Sequence, residues 1–310
     1  QNRPAVRQPC GCGTGRPSLI VDAREGPFFA EQRLGPAADE TVVHMSGRVL
    51  VTGADGTLGR ALGSVLGEDA VLLDLPELDI TDRRRVRKVV AAVAPEVVVN
   101  CAAVTDVDLC QRRPGLALRV NRDGAAHLVE TGVPVVTISS DHVFPGTGPE
   151  AYVESSTPDP VNEYGRSKLA AEKVVLEAGG TVVRTSWLFG GSSGLVPFMH
   201  RRLSAGRLVR AVSDQRACAT WADDLARGLL RVLDEGVTGV VHMANRGAVT
   251  PLEMARMLRA ICGRGRIAEI RWADLDLDAP RPRWSVLDSQ RGRMLRPLEE
   301  AIRGWRSKDG

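Results

Sequence analysis

A tyrosine and a lysine four residues apart, Tyr164 and Lys168 in "NEYGRSKLAAEK", have the spacing that most suggests chemistry. Such spacing places two side chains on the same face of a helix. A free tyrosine has a pKa of about 10, and a nearby ammonium lowers that pKa because it stabilises the phenolate. The pair could therefore transfer a proton at neutral pH, although an exposed helix pair would have the same spacing.

A serine hydroxyl precedes this pair at the end of an apolar run, where "TISSDHVF" contains Ser140. Ligands of a parallel α/β sheet bind at the carboxyl ends of its strands, and Ser140 is expected there. Reduction of a carbonyl needs an acid for the oxygen and a donor that holds it. We predict that Ser140 holds the oxygen, Tyr164 protonates it and Lys168 tunes Tyr164. The alternative for Ser140 is a strand-end cap.

A glycine-rich turn, "VTGADGTLG", lies between the first apolar strand and the first helical pattern. Glycine is needed where the backbone turns sharply and approaches a pyrophosphate closely, and the amides of a helix N-terminus favour the anion. The turn therefore predicts dinucleotide binding, with a purely structural turn as the alternative. The predicted pyrophosphate-binding residues are Gly53, Gly56, Thr57, Leu58 and Gly59.

Asp74 ends the second apolar strand, where a carboxylate can bind the adenosine ribose and favour NAD over NADP. Arg60 lies near the loop and could meet a 2′-phosphate, so the choice between NADPH and NADH stays open. Asp79 and Ile80 in "LDIT" are predicted to border the adenine. The predicted cofactor contacts outside the glycine turn therefore include Asp74, Asp79, Ile80, Tyr164 and Lys168, the last through the cofactor ribose.

Strand-like and helix-like patterns alternate from Arg48 onward, which predicts an α/β fold with a doubly wound parallel sheet of the Rossmann type. The alternation loosens after Trp187. We predict a dinucleotide-binding domain over 45–187. Residues 188–310 are predicted to form mainly a smaller substrate-binding lobe, with some segments returning to the main sheet. Residues 1–44 lack periodicity and are predicted to be a disordered extension.

Composition narrows the function classes. The net charge of +3 is spread along the chain, which argues against a dedicated nucleic-acid binder. No apolar run reaches the roughly 18–20 residues of a membrane helix, and no apolar segment typical of a secretory signal follows the first arginines. Scattered cysteines predict reduced thiols in a cytoplasmic protein. Cys10 and Cys12 are too few for a closed zinc site, so no metal is predicted.

These motifs resemble those of the extended short-chain dehydrogenase/reductases, and within them the dTDP-4-dehydrorhamnose reductase family. The resemblance covers about Arg48 to Trp305 and depends on the joint order of the motifs. "RTSW" and "RPRWSVLD" separate this family from most other sugar-nucleotide enzymes. The full set is "VTGADGTLG", "LDITD", "PEVVVNCAAVTDVD", "VNRDGAAHL", "SSDHVF", "YGRSKLAAEK", "RTSWLFG", "VSDQ" and "RPRWSVLD".

The resemblance implies contacts that spacing alone does not. Residues matching cofactor-lining positions are Ala103, Val104 and Thr105. Residues matching substrate-binding positions are Thr105, Val107, Ser140, Asp141 and Trp187. Arg281 and Arg283 are candidates for the nucleotide phosphates, because arginine suits bidentate contacts with anions. A core aromatic residue is the alternative for Trp187, and exposed surface charge is the alternative for the two arginines.

The sequence departs from the family pattern at two places near the predicted site. His142 replaces a tyrosine in "SSDHVF", and a packed or solvent-facing histidine competes there with a functional one. The loop "DQRACAT", Asp214 to Thr220, lacks the glycine and proline of the family pattern, which puts the identity of the sugar in doubt. Glutamates that bind a divalent metal in some family members have no match here.

The function implied is NADPH- or NADH-dependent reduction of the C4 keto group of a dTDP-4-keto-6-deoxysugar. The predicted partner is a nucleotide-sugar substrate, with no nucleic acid and no membrane, and a homodimer is the candidate assembly. One alternative is a non-catalytic, NADP-binding regulatory protein resembling the regulatory subunit of methionine adenosyltransferase. Another is a sugar-nucleotide epimerase or dehydratase.

Overall fold

The computed structural model describes residues 48–309, so the predictions for residues 1–44, Cys10 and Cys12 included, lie outside the described residues. The strands are β1 (Val49–Thr52), β2 (Ala70–Leu73), β3 (Val97–Asn100), β4 (Val135–Ser140), β5 (Thr181–Thr185), β6 (Leu188–Phe189), β7 (Leu208–Val212), β8 (Arg216–Cys218), β9 (Thr220–Trp221), β10 (Gly239–His242), β11 (Asn245–Arg246), β12 (Ala248–Val249), β13 (Arg266–Ile270), β14 (Trp284–Ser285) and β15 (Leu295–Pro297). The α-helices are α1 (Thr57–Leu66), α2 (Arg83–Val93), α3 (Val107–Arg112), α4 (Pro114–Ala117), α5 (Gly124–Val129), α6 (Glu163–Glu177), α7 (Leu195–Ser204), α8 (Ala222–Asp234), α9 (Pro251–Cys262) and α10 (Leu298–Asp309).

The central sheet has the strand order β2-β1-β3-β4-β5-β10, and every neighbouring pair is parallel. The chain leaves β1 toward β2 on one side and then returns to build β3, β4 and β5 on the other. Such a reversal of strand order opens a crevice at the carboxyl ends of the strands, where ligands of this architecture bind. The predicted doubly wound parallel sheet is confirmed.

Apolar side chains cover both faces of the sheet. Val49 and Val51 pack on one face with α1 and α8, whereas Leu50 packs on the opposite face with α2, α5 and α6. Strands buried on both faces have no polar alternation. This double burial explains the uninterrupted apolar runs in the sequence.

Four of the described α-helices begin with a side chain that accepts hydrogen bonds from backbone amides, and Asp106 caps α3 through Leu109 N. Asp82 caps α2 through Arg84 N and Arg85 N. Asn162 caps α6 through Gly165 N. Thr250 and Glu253 form a capping box at the start of α9. A side-chain cap satisfies amides that have no partner within the helix, so these helices start where the sequence indicates.

The helical run from α4 to α5 contains a π-helical turn, Leu118–Asp123, that the sequence pattern did not predict. Such turns commonly occur near functional sites. This one carries Asn121, which is buried and whose amide bonds Val104 N at 2.8 Å and Val104 O at 3.1 Å. The extra residue per turn therefore places Asn121 against the loop that follows β3.

Small sheets and helices occupy most of the chain after β5. They are the strand pairs β6–β9, β7–β13 and β11–β15, and the trio β12–β8–β14. An apolar cluster there joins α7, α9 and α10 through residues such as Met199, Leu258 and Trp305. In the described part of the chain, no helix has the length and apolar character to cross a membrane.

A buried ion pair joins α6 to β5. Arg184 and Glu172 are 3% and 1% exposed, and the guanidinium meets the carboxylate at 2.6 Å (Nη2 to Oε2) and 2.9 Å (Nε to Oε1). Ser139 Oγ on β4 donates to the same carboxylate at 2.5 Å. Bidentate charge-assisted contacts are strong and directional. The pair therefore fixes α6 relative to two neighbouring strands.

We expect Glu172→Gln to lower the free energy of unfolding by roughly 3 kcal/mol, because removing one partner leaves the other charge buried and unpaired. Glu163→Gln is the matched control, since Glu163 pairs with Arg166 on the same helix in a partly exposed ion pair. The control should cost less than about 1 kcal/mol. Urea unfolding followed by circular dichroism measures both, and equal losses would contradict the prediction.

Candidate active site

The glycine turn brings β1 close to the loop after β3. Gly53 has φ +69°, and a Cβ on Gly53 would lie 2.5 Å from Ala102 N. A Cβ on Gly59 would lie 2.4 Å from Gly53 O. Side chains at these two positions would force the strand, the turn and α1 apart. The two glycines therefore allow the tight turn that dinucleotide-binding folds place beside a pyrophosphate.

The N-terminus of α1 can hold an anion. Its cap residue, Gly56, makes no side-chain cap, and the first turn contains no acidic residue. The amides of Thr57 and Leu58 in that turn have no acceptor among residues 48–309. Unpaired amides and the helix dipole favour a phosphate at this position. These residues fit the pyrophosphate of a dinucleotide.

A cleft of about 530 Å³ lies beside the glycine turn and includes Asp74 and Arg60. The Asp74 carboxylate accepts hydrogen bonds from Asp55 N at 2.8 Å and Leu75 N at 2.7 Å, so it is held against the turn. Arg60 is the basic residue of this lining, and it is exposed. The structure therefore brings together the two residues on which we based the opposite predictions for NADH and NADPH.

The other predicted adenine and cofactor residues occupy two loops. Asp79 is exposed and accepts from Thr81 N at 2.8 Å, while Ile80 is buried and its carbonyl meets His127 Nδ1 at 3.0 Å. Ala103, Val104 and Thr105 follow β3, where Asn121 holds Val104. Asn121 also donates to Ser167 Oγ on α6 at 2.8 Å. The loop after β3 is thus tied directly to the helix of Tyr164 and Lys168.

Ser140 ends β4 beside two other polar groups. Its hydroxyl donates to Asp141 Oδ1 at 3.0 Å and accepts from His142 N at 3.2 Å. Asp141 Oδ2 accepts from Ser285 Oγ at 2.5 Å. Both carboxylate oxygens of Asp141 therefore have partners within the chain. Asp141 can orient Ser140 directly, and its predicted contact with substrate stays a prediction.

The Tyr164 side chain is buried next to Ser140. Burial raises the pKa of Tyr164 above its usual range, and the hydrogen bond with Ser140 opposes this shift. The negative charges of Asp141 and Cys110 raise the pKa further. Our expectation that Lys168 would lower this pKa is wrong for the described chain, because desolvation dominates. A raised pKa keeps the phenol protonated, which is the form a proton donor needs.

Lys168 is buried one turn further along α6. Burial lowers its pKa to about 8, and the nearby Glu172 carboxylate opposes that shift. Desolvation disfavours the charged ammonium, whereas a neighbouring carboxylate favours it. Lys168 therefore titrates close to neutral pH. Its carboxylate neighbour is the same one that pairs with Arg184.

The end of β5 carries two unusual residues. Trp187 is partly buried against the apolar cluster of the C-terminal helices and has φ +39°, which is strained for a residue with a Cβ. Ser186 is 2% exposed, and its hydroxyl has no partner among residues 48–309. Buried hydroxyls normally have a hydrogen-bond partner. The unpaired Ser186 hydroxyl and the strained backbone of Trp187 are both features of segments that bind a ligand.

Residues 278–285, named the strap here, contact the elements that carry the predicted catalytic residues. Arg281 makes a bidentate ion pair with Asp108 on α3, with both N–O distances 2.8 Å. Pro280 O accepts from Asn162 at 2.9 Å. Arg283 is largely exposed and meets Asp214 at 3.2 Å. The Arg281 guanidinium is thus engaged within the chain, Arg283 is more open, and their phosphate contacts stay predictions.

The remaining predicted sugar-side residues, Thr105 and Val107, lie at the start of α3, exposed and partly exposed respectively. Sequence reasoning missed Asn121, Glu172 and the strap serine Ser285 as residues that position the site. Asn121 lies within the family motif "VNRDGAAHL", so that motif could have indicated a role for it. Glu172 sits four residues after Lys168, a spacing that could also have been noticed.

Comparisons with known proteins agree with this geometry. The chain is 38% identical over 280 residues to a dTDP-4-dehydrorhamnose reductase of Streptomyces griseus, covering 84% of this chain and 91% of the relative. It is 37% identical over 276 residues to a dTDP-4-keto-6-deoxy-D-glucose reductase of Streptomyces niveus, covering 84% and 94%. A crystal structure of dTDP-4-dehydrorhamnose reductase from Bacillus anthracis in complex with NADP is similar with a TM-score of 0.82, at 30% identity, covering 85% and 100%.

The parallel sheet, the glycine turn and the serine, tyrosine and lysine at its carboxyl edge define a dinucleotide-binding fold of the extended short-chain dehydrogenase/reductase class. A family model described as the RmlD substrate binding domain matches residues 47–308. The chain belongs to that family.

The lowered pKa of Lys168 predicts how stability depends on pH. An unfolded lysine keeps its proton up to about pH 10.4, whereas the folded one loses it near pH 8. The unfolded chain therefore binds more protons between these values, so this residue's contribution to stability increases as pH rises through that window. We expect Lys168→Met to stabilise the cofactor-free protein at pH 7 by on the order of 2 kcal/mol.

Urea unfolding at pH 7 and pH 10 measures this effect. The stabilisation by Lys168→Met should shrink at the higher pH, because the wild-type lysine is then neutral when folded. Lys173→Met, on an exposed part of the same helix, is the control and should show no such window. A Lys168→Met gain that is equal at both pH values would contradict the pKa assignment.

Proposed function

We propose that this protein is an NADPH-dependent reductase of the C4 keto group of a dTDP-4-keto-6-deoxyhexose. The observation that carries the proposal is the burial of Ser140, Tyr164 and Lys168 at the sheet edge next to the glycine turn. The relatives named above act, by their names, on sugars of this kind. Bound NADPH supplies the hydride.

Tyr164 is the proton donor of the proposed reaction. Its raised pKa means that the phenol carries its proton over the whole neutral range. A reduction consumes a proton at the carbonyl oxygen, so a protonated group beside that oxygen matches the direction of the reaction. The Ser140 hydroxyl next to Tyr164 binds the same oxygen and orients the carbonyl.

Asp141 and Lys168 support the reaction in different ways. Asp141 accepts from Ser140 in the free chain, so the serine hydroxyl has to turn from the carboxylate to the carbonyl when substrate binds. The Lys168 ammonium binds the cofactor ribose. Burial strengthens both electrostatic effects, because water screens them less in the interior.

We also propose a division of labour along the chain, with the cofactor held by residues up to Trp187 and the sugar nucleotide by the lobe that follows. Support comes from Trp187 with its strained backbone and from the strap with Arg283 exposed. Replacing Arg283 with alanine should raise the KM for a dTDP-sugar more than the KM for NADPH, and the reverse would count against the division.

We propose that the protein is active as a homodimer and that it is located in the cytoplasm. Free cysteines within the described residues, among them Cys101 and Cys110 near Lys168, fit a reducing compartment. Sedimentation velocity tests the assembly, and a monomer at micromolar concentration would count against the dimer. Cell fractionation with an antibody to the chain tests the location.

We expect Tyr164→Phe to lower the rate of NADPH oxidation with dTDP-4-keto-6-deoxyglucose by about 10²–10⁴-fold, because a positioned acid contributes on this scale. The chain has two tyrosines, and Tyr152→Phe is the matched control. Tyr152 OH accepts from Gly146 N and Thr147 N, and Tyr152 is not one of the proposed catalytic residues. The control should keep activity within a few-fold, as followed by absorbance of NADPH.

The same assay separates the alternatives. Binding of NADPH without oxidation, with this sugar or with dTDP-4-dehydrorhamnose, would overturn the reductase and favour a binding protein. Turnover of a dTDP-hexose with no net consumption of NADPH would favour an epimerase. Loss of activity in Tyr152→Phe equal to that in Tyr164→Phe would remove the assigned role of Tyr164.

The pH dependence of kcat/KM for NADPH should report Lys168, because this parameter follows the ionisation of the free enzyme. Its ammonium is the active form, so kcat/KM should be flat below pH 8 and fall above the pKa of about 8. Lys168→Arg should abolish that fall, since a guanidinium keeps its charge. If kcat/KM for NADPH still falls above pH 8 in Lys168→Arg, a group other than Lys168 causes the fall.

A further inference from the structure

His142 is the unusual residue of the site that the proposed mechanism leaves unused. It lies in the short 3-10 helical turn Asp141–Val143 directly after Ser140, and its amide donates to Ser140 Oγ. Its ring packs edge-on against the Tyr164 ring, with centroids 5.5 Å apart. The ring of His142 is thus adjacent to Tyr164 and its backbone to Ser140, the two residues proposed to hold the reacting carbonyl.

The hydrogen bonds of Asn162 determine which nitrogen of His142 carries the proton. Asn162 is fully buried, and its Oδ1 accepts from Gly165 N at 2.8 Å. Its Nδ2 donates one hydrogen to Pro280 O at 2.9 Å, and a carbonyl can only accept. The other hydrogen faces His142 Nδ1 at 3.0 Å. Nδ1 must therefore be an acceptor, and the ring is neutral with its proton on Nε2.

The charges around the ring agree with this neutral form. Burial lowers the pKa of His142 and the Arg281 guanidinium lowers it too, while the Asp141 carboxylate and the Asn162 hydrogen bond oppose them. Arg281 is itself neutralised by Asp108. The ring of Tyr164 packed beside it carries a neutral phenol. The surroundings therefore hold His142 as an uncharged hydrogen-bond donor across the neutral range.

The Nε2–H group has no acceptor within residues 48–309, although His142 is only 8% exposed. The Nε2 atom is also not fully enclosed by protein atoms. Of the described side-chain nitrogen and oxygen atoms, those enclosed without a partner are Ser186 Oγ and Trp221 Nε1. A buried donor whose other nitrogen is locked, and whose free edge reaches an opening, is arranged to bind a ligand atom.

We propose that His142 Nε2–H donates a hydrogen bond to the C3 hydroxyl oxygen of the sugar and so selects 3-hydroxy-4-keto hexoses. This inference rests on the proposed function. In a 4-keto-6-deoxyhexose, C4 is flanked by C3, which bears a hydroxyl, and by C5, which bears the methyl group and the ring oxygen. With the C4 oxygen held by Ser140 and Tyr164, O3 is the hydroxyl on an adjacent carbon, and a donor beside Tyr164 is placed to bind it.

The test compares two substrates across variants of His142. The substrates are dTDP-4-keto-6-deoxyglucose and its 3-deoxy analogue, dTDP-4-keto-3,6-dideoxyglucose. His142→Phe keeps a flat ring against Tyr164 and removes the donor, while His142→Gln keeps an N–H at a similar reach. Thermal unfolding of each variant checks that it folds, because His142→Phe also leaves one hydrogen of Asn162 without an acceptor.

We expect His142→Phe to lower kcat/KM about tenfold with the 3-hydroxy sugar and less than about twofold with the 3-deoxy sugar. Removing the 3-hydroxyl from the substrate should cost the wild type a similar factor. His142→Gln should recover most of the loss. Asn162→Asp, which changes the donor to Nδ1 into an acceptor, should reduce the preference for the 3-hydroxy sugar.

Equal losses on both sugars in His142→Phe would overturn the inference and leave His142 as a packing residue. No loss on either sugar would overturn it as well. In both cases the wild type still reduces the sugars, so the proposed function stands. A wild type that oxidises NADPH with neither sugar, and not with dTDP-4-dehydrorhamnose either, would instead overturn the proposed function and this inference with it.

Discussion

The ion pair between Glu172 and Arg184 is the interaction on which the site depends most. It joins the helix that carries Tyr164 and Lys168 to the strand next to the one that ends at Ser140. The same carboxylate receives the Ser139 hydroxyl and supports the charge of Lys168 from one helical turn away. One buried charge therefore sets both the position of the helix and the ionisation of its lysine. Because the pair is desolvated, small displacements are costly, and the geometry of the site is correspondingly rigid.

Burial acts in opposite directions on the two titrating residues of α6. It keeps the phenol of Tyr164 protonated and makes the ammonium of Lys168 easier to lose. Both shifts follow from the cost of placing a charge in a poorly hydrated interior. The helix thus carries a protonated phenol and a lysine whose pKa is lowered, one turn apart.

Local patterns predicted much of this molecule. The alternating strands and helices and the glycine turn were predicted from the sequence, because each depends on residues close together in the chain. The partners of buried polar groups were not, since Arg281 meets Asp108 and Ser285 meets Asp141 only after the chain has folded. The lowered pKa expected for Tyr164 failed for the same reason, because burial cannot be read from a four-residue spacing.

The bonds between the strap and the candidate site can form only late in the synthesis of the chain. Asp108, Asp141 and Asn162 are made early, but the residues that bond them lie 173, 144 and 118 positions away in the chain. Domains fold from the N-terminus during synthesis, so the sheet and the glycine turn can form while the strap is still in the ribosome. Until it emerges, Asp141 lacks Ser285 and Asn162 lacks Pro280. A chain interrupted before the strap would hold the glycine turn and α6 but would lack the bonding partners of Asp108, Asp141 and Asn162, so the candidate site is completed only in the last stretch of synthesis.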